Sequence, residues 1–296
     1  MESSVLNPDS RNQVPGTELQ NFTGGEMFSI IGWAALALFI TMTCVFVLAL
    51  ILRDNSIVDI FYGPAFVVAA GAAYLKFATW HPRQILLMAL LTIWGVRLGT
   101  HLLVRHRGRG EDFRYRQWRE AWGSSFLWRS FLQIYMLQGA VILVVLTPVF
   151  IVLHDPGGNL SVLDAAGMAV WSLGFTFEAV GDWQLLRFMQ NPENRGRIMT
   201  RGLWSTTRHP NYFGEATLWW GMFLIALSAP GGWVAVISPL TIDFLLLFVS
   251  GIPMLEKKYE GNPQFEAYRE RTNVFFPWLP GPASDETPGG PGSSTE

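Results

Sequence analysis

The sequence predicts an all-α integral membrane protein. It reads as a bundle of about seven transmembrane helices, with the N-terminus outside or lumenal and the C-terminus cytosolic. Three observations carry this expectation. Half of the 296 residues are hydrophobic and only 15% are charged, against roughly a quarter charged in a soluble domain. The apolar residues fall into seven long runs. Basic residues gather in alternate connections between those runs. The net charge of −2 gives no case for a nucleic-acid partner. The single cysteine, Cys44, lies within an apolar run, so neither an internal disulfide nor a cysteine-based metal site is available.

A helix needs about 20 apolar residues to cross the hydrocarbon core. Residues 1–26 are polar and lack the basic start and short apolar core of a signal peptide, so they read as a disordered tail. The first run, 27–52, holds no charge. The second, 57–79, carries Asp59 and Lys76 near its ends, and the third, 84–104, encloses Arg97. The fourth is 133–153. The fifth, 162–186, has Glu178 and Asp182 in its last part. The sixth, 212–229, is the shortest and begins near Glu215, and the seventh, 233–254, encloses Asp243. Runs this long and continuous favour helices over barrel strands, which would alternate over about 10 residues. Residues 27–280 form one transmembrane domain, and 281–296 read as a second disordered tail.

The connections around Arg53 and at 105–132, 187–211 and 255–280 hold one, seven, five and four Lys or Arg, seventeen in all. The opposite side has only Arg11, Lys76 and Arg83. The positive-inside rule places the seventeen in the cytosol, which requires an odd number of spans.

Ionisable groups inside a bilayer cost roughly 2.5–3.5 kcal/mol each on insertion scales. With this orientation Asp59, Arg97, Glu178, Asp182 and Glu215 all lie in cytosolic halves of their helices. Glu178 and Asp182, four residues apart, share a helix face. A common cavity facing the cytosol explains the set better than separate snorkelling to the interface, which remains an alternative for Asp59. Asp243, nearer mid-span, suits a helix-packing role or a solute path. The 187–211 loop, with its five arginines and four hydroxyl residues, can hold phosphate or simply reflect positive-inside basicity. The 105–132 loop, with Tyr115, Trp118 and Trp122 among its arginines, reads as an interfacial amphipathic helix. Neither loop has a Walker or dinucleotide glycine pattern.

The C-terminal part, about 130–280, holds the most specific strings: Glu178-Ala-Val-Gly-Asp182, then Arg208-His209-Pro210-Asn211-Tyr212-Phe213-Gly214-Glu215, then Leu255-Glu256-Lys257-Lys258-Tyr259 and Tyr268-Arg269-Glu270-Arg271, closed by Phe276-Pro277. These resemble the steroid 5-alpha reductase superfamily, most closely its DUF1295-type membrane branch. The likeness extends weakly to Asn55-Ser56-Ile57-Val58-Asp59 and Trp94-Gly95-Val96-Arg97-Leu98. The resemblance implies a seven-helix bundle that binds NADPH from the cytosol and reduces a carbon–carbon double bond in a lipid-like or steroid-like small molecule. It implies that Glu178, Asp182, Asn211 and Glu215 hold the cofactor. Arg208 and Tyr212 would flank it, Arg187 or Arg195 would meet its phosphates, and Glu256, Tyr268 and Arg271 would complete the site. Steroid-reducing members polarise the substrate ketone with a Glu–Tyr pair on helices 2 and 3. Here the available groups are Asp59, Tyr62 and Arg97. Arg-His-Pro-x-Tyr with later Glu, Tyr and Arg also resembles the isoprenylcysteine carboxyl methyltransferases, which implies S-adenosylmethionine as the alternative cofactor. A non-catalytic membrane protein or transporter is the third reading. The expected location is the endoplasmic reticulum in a eukaryote and the inner or plasma membrane in a bacterium.

Overall fold

A computed structural model describes residues 24–108 and 110–278, and they are helical with no strand among them. The tails expected at 1–26 and 281–296 lie outside the described residues, apart from 24–26, which open the first helix. Three long helices come first: α1 (Gly24–Leu52), α2 (Ile57–Phe77) and α3 (Pro82–His106). The amphipathic α4 (Phe113–Trp122) follows, capped by Asp112, whose side chain accepts from the Arg114 backbone N–H at 3.0 Å. A helical stretch then runs through α5 (Phe126–Ser130), a π-helical segment at Phe131–Met136, α6 (Leu137–Val145) and, after a break at Leu146, α7 (Thr147–His154). It starts earlier than the expected 133–153, because the helix passes through Arg129 rather than stopping at it. The long α8 (Val162–Gln190) and α9 (Pro210–Ala226) form the next hairpin.

The expected seventh helix, 233–254, is interrupted. A 3-10 turn at Gly232–Val236 leads into α10 (Ile237–Phe244) and a π-helical segment at Leu245–Val249, and α11 (Ile252–Lys257) starts afresh. Pro253 cannot donate to residue 249 and its ring would clash there. The Leu245 carbonyl instead accepts from the N–H groups of Ser250 and Gly251, at 2.9 and 3.2 Å. A last short helix, α12 (Pro263–Arg271), follows.

Five helical stretches are long and apolar enough to cross a membrane: Gly25–Leu52, Ile57–Phe77, Pro82–His106, Phe113–Val145 and Gly232–Lys257. This matches a multi-pass membrane protein. Between them, α8 carries Asp164, Glu178, Asp182 and Arg187, and α9 has only 17 residues.

Close helix approach depends on glycine. Gly167, Gly174 and Gly181 recur every seven residues on α8, as do Gly214 and Gly221 on α9. A Cβ at Gly174 would lie 2.6 Å from the Gly214 carbonyl oxygen, and one at Gly167 would lie 2.7 Å from that of Gly221. The two backbones therefore touch without intervening side chains. Gly63 and Gly95 do the same for α2 and α3, where a Cβ at Gly63 would lie 2.5 Å from the Gly95 carbonyl oxygen. Phe66, Trp94 and Trp219 join α2, α3 and α9 through ring centroids 5.2–5.4 Å apart.

Two buried ion pairs set the alignment of α3 and α8. At one end Arg83 grips Asp164 through Nε and Nη2, at 2.7 and 2.9 Å. Arg83 also donates to the carbonyls of Pro156, Gly158 and Asn159. At the other end Arg97 meets Glu178 at 2.6 Å. The paired residues are fourteen apart on both helices. The two helices thus run parallel over about 21 Å, at 1.5 Å per residue.

Candidate functional site

The glycine contact between α8 and α9 brings four polar residues to one place. A Cβ at Gly214 would collide with the Glu178 backbone, and one at Gly181 would lie 3.3 Å from the Asn211 nitrogen. Glu178 and Asp182 on α8 therefore face Asn211 and Glu215 at the start of α9. Arg97 of α3 closes the group. Its Nη1 donates to Glu178 Oε1 and its Nη2 to Asp182 Oδ2, both at 2.6 Å, and Nη2 also reaches the Glu178 carbonyl at 3.0 Å. The Trp94 indole donates to Glu178 Oε2 at 3.0 Å, and Asn211 Nδ2 to Asp182 Oδ1 at 3.2 Å. His101 Nε2 stands 3.6 Å from Asp182 Oδ2. The two carboxylates share one guanidinium, which relieves their mutual repulsion.

Glu215 lies within electrostatic range of Asp182 and Arg97, yet its carboxyl has no hydrogen bond among the described residues. Tyr62 of α2 is within electrostatic range of Glu215. Its ring packs edge-on against Phe66, and its hydroxyl likewise has no hydrogen-bond partner among the described residues. Tyr212 stacks on the His209 ring at 5.5 Å and lies within electrostatic range of Glu215. Arg97, Glu178, Asp182, Asn211, Tyr212, Glu215 and Tyr62 therefore form one neighbourhood at the charged end of the bundle.

Asp59 belongs to a neighbouring knot. It accepts from Tyr115 at 2.6 Å and from Arg114 at 2.9 Å, both on α4. Around it the Asn55 N–H donates to Glu111, Ser56 Oγ accepts the Asp112 N–H, and the Tyr135 hydroxyl donates to Asn55. The Asn55–Asp59 string thus pins α4 across the start of α2. Burial raises the Asp112 carboxyl, but hydrogen bonds from the Arg114 side chain and backbone outweigh this and hold it below the usual carboxylate range.

Arg208, Glu256 and Tyr268, with His209, tie the next segment down. Arg208 donates from Nε to Glu256 at 2.8 Å and from Nη1 to the Thr272 and Arg269 carbonyls, at 2.7 and 3.2 Å. His209 Nε2 also meets Glu256, at 3.1 Å. The Tyr268 hydroxyl donates to the Trp204 carbonyl and lies 3.4 Å from that of Thr207. Burial raises its phenol above the ordinary value. These bonds fasten the 202–209 segment to the C-terminal part and so fix where α9 begins. Arg271 is exposed and lines a cleft of about 440 Å³ with Arg269, Thr272 and Trp278. Arg187 and Arg195 are exposed, and the Arg187 guanidinium lies 5.6 Å from the Trp183 ring centre. Asp243 on α10 accepts from the Trp220 indole at 3.0 Å, while its other oxygen is buried without a partner.

Sequence reasoning missed Trp94 and His101 as members of the cluster. They stand three before and four after Arg97 and so share its helix face, a signal that was present in the sequence. It also missed the Arg83–Asp164 pair at the opposite end.

The arrangement can bind a polar molecule at the charged end and present it to the apolar interior. No curated protein and no solved structure matches the chain. A family model, that of the proteins of unknown function DUF1295, matches residues 45–272, a stretch that contains every candidate residue, and the chain belongs to that family.

Proposed function

We propose that the protein is an NADPH-dependent membrane reductase that saturates a carbon–carbon double bond in a lipid or steroid-like substrate. One observation carries this reading: Glu215 and Tyr62, an acceptor and a donor without partners, stand beside the Arg97–Glu178–Asp182–Asn211 cluster. The donor set fits a dinucleotide. Glu215 would accept from ribose hydroxyls or the carboxamide, Asn211 would offer both a donor and an acceptor, and Tyr212 and His209 give a flat aromatic surface. Arg187 and Arg195 are free for the phosphates. A bound NADPH would supply the hydride. The chain's own part is to orient the acceptor carbon, exclude water and polarise the conjugated carbonyl. Tyr62 suits that last task better than Asp59, whose two oxygens accept from Arg114 and Tyr115, or Arg97, whose Nη1 and Nη2 are held by Glu178 and Asp182. Arg97 would act by holding Glu178 and Asp182 in place.

Seven spans with the charged end in the cytosol complete the reading. The parallel course of α3 and α8 and the glycine-locked return through α9 support it, as does the basic composition of the 187–211 connection. The membrane would be the endoplasmic reticulum or a bacterial inner membrane.

A second reading is favoured by charge. Three carboxylates face one guanidinium, and the surplus negative charge also suits the ammonium and sulfonium of S-adenosylmethionine, as a lipid methyltransferase would require. Thermal unfolding of the purified protein separates the two. The reductase reading expects NADPH to raise the melting temperature and S-adenosylmethionine not to. The reverse result would sink it.

A further inference from the structure

We propose that Arg129 and Trp128, where α5 leaves the amphipathic segment, form a binding site for a phosphate group, filled in the membrane by a phospholipid headgroup. The interior arginines are well supplied with acceptors: Arg83 by Asp164, Arg97 by Glu178 and Asp182, Arg208 by Glu256. Arg129 is half-buried and has none. Its Nε is buried without a hydrogen-bond partner, and no carboxylate or carbonyl among the described residues accepts from its other nitrogens. Its guanidinium lies 5.4 Å from the centre of the Trp128 ring. A guanidinium cannot shed its proton to escape the cost of burial, so Arg129 needs an acceptor that the described residues do not supply.

The surroundings identify that acceptor. On the chain's N-terminal side lies the turn Gly123–Ser125, with Ser124 exposed. On the other side the outward face turns apolar: Leu127, Trp128 and Leu132 are 50–55% exposed. Arg129 thus stands on the seam between polar and lipid-facing surface, where phospholipid phosphates lie and where arginine and tryptophan concentrate. The planar fork matches two phosphate oxygens at once. The Trp128 ring would cover the glycerol and upper acyl region. This site is separate from the Arg97 cluster and does not depend on the reductase reading.

The full-length protein in nanodiscs of equal phosphatidylglycerol and phosphatidylcholine tests the proposal, with native mass spectrometry reading the lipid retained after release. Wild type should retain phosphatidylglycerol, and R129Q should retain about fivefold less, with R129K between them because it keeps the charge and loses the fork. W128L, which leaves Arg129 intact, should also lower retention, so the idea stays testable if R129Q folds poorly. R107Q removes an exposed arginine of the same connection and should change nothing. Inorganic phosphate distinguishes the source: if it raises the melting temperature of wild type but not of R129Q, and no lipid is retained, the phosphate bound is a free one. Retention and melting that ignore R129Q and W128L, or a loss as large in R107Q, would overturn the site.

Discussion

Arg97 is where residue-scale energetics decide most. It neutralises two carboxylates buried at 3% and 7% side-chain exposure. Removing one partner of a buried ion pair costs about 3–5 kcal/mol, because the other charge is stranded. R97M should therefore lower the unfolding midpoint sharply, R97K should recover part of the loss, and R97M/E178Q should be less damaged than R97M. Equal stability of R97M and wild type would show that the carboxylates are protonated or solvated. Glu215 and Tyr62 should behave oppositely. Neither makes a hydrogen bond to the described residues, so Y62F should cost no more than about 0.5 kcal/mol, and E215Q should cost no more than that and stabilise wherever it relieves the crowding of carboxylates around Arg97. Under the reductase reading E215Q weakens NADPH about tenfold, the effect of about 1.4 kcal/mol, whereas Y62F lowers turnover and leaves NADPH affinity unchanged. Titration of NADPH against both variants checks the split. The sequence exposed most of these residues, because a charge in an apolar run stands out. It did not show that Asp59 is satisfied by α4, since that depends on how the helix folds back across α2.

At the scale of elements, the α8–α9 pair is built on absent side chains. G174A or G214A would force a Cβ into the facing backbone. Overpacking of this kind costs about 1–3 kcal/mol, and backbone yields less readily than a side-chain tip. Gly71 on α2 gives the control: its Cβ would meet only the Met88 side-chain tip, at 3.8 Å. G71A should be neutral or stabilise by up to about 1 kcal/mol, as Ala does over Gly inside a helix. Unfolding midpoints in one detergent compare the three. A G174A protein as stable as G71A would mean that the two helices are not held at backbone contact. The seven-residue glycine spacing was visible in the sequence, but its meaning was not, because nothing local says which helix supplies the partner. The break before α11 was missed in the expected 233–254 helix although Ser250-Gly251-Ile252-Pro253 carries its signal, whereas the π-helical segments at 131–136 and 245–249 left no clear trace. Apolar length located the helices, and packing altered their ends.

For the whole molecule, the topology turns on α8 and α9, because their content differs from that of the other long helices. α8 holds three acidic residues and α9 is short. Length and apolarity alone would leave them uncounted. The ion pairs argue otherwise. Arg83–Asp164 and Arg97–Glu178 lie fourteen residues apart on both α3 and α8, so α8 accompanies α3 through about 21 Å of the bundle. The acids of α8 are met by the arginines of α3 and need not face lipid, which removes the usual objection to a charged span. The glycine contacts then bring α9 back antiparallel. The seven-span reading then expects a specific topology. Asn159, before α8, and Glu193, after it, are both exposed, and they should lie on opposite sides of the membrane. Cys44 is the only native cysteine, so a C44A background carrying N159C or E193C can be labelled in intact cells with an impermeant maleimide. If the protein sits in a bacterial inner membrane with outer-membrane access opened, N159C should react at once and E193C only after the inner membrane is permeabilised. Labelling of both from the same side would mean that the α8–α9 hairpin does not cross. The five basic residues of the 187–211 connection would then lie outside, against the asymmetry in the other connections, and the Arg97 cluster would have to be reached from the non-cytosolic face. Nicotinamide and adenosyl cofactors are cytosolic, so that result would count against the reductase and methyltransferase readings together.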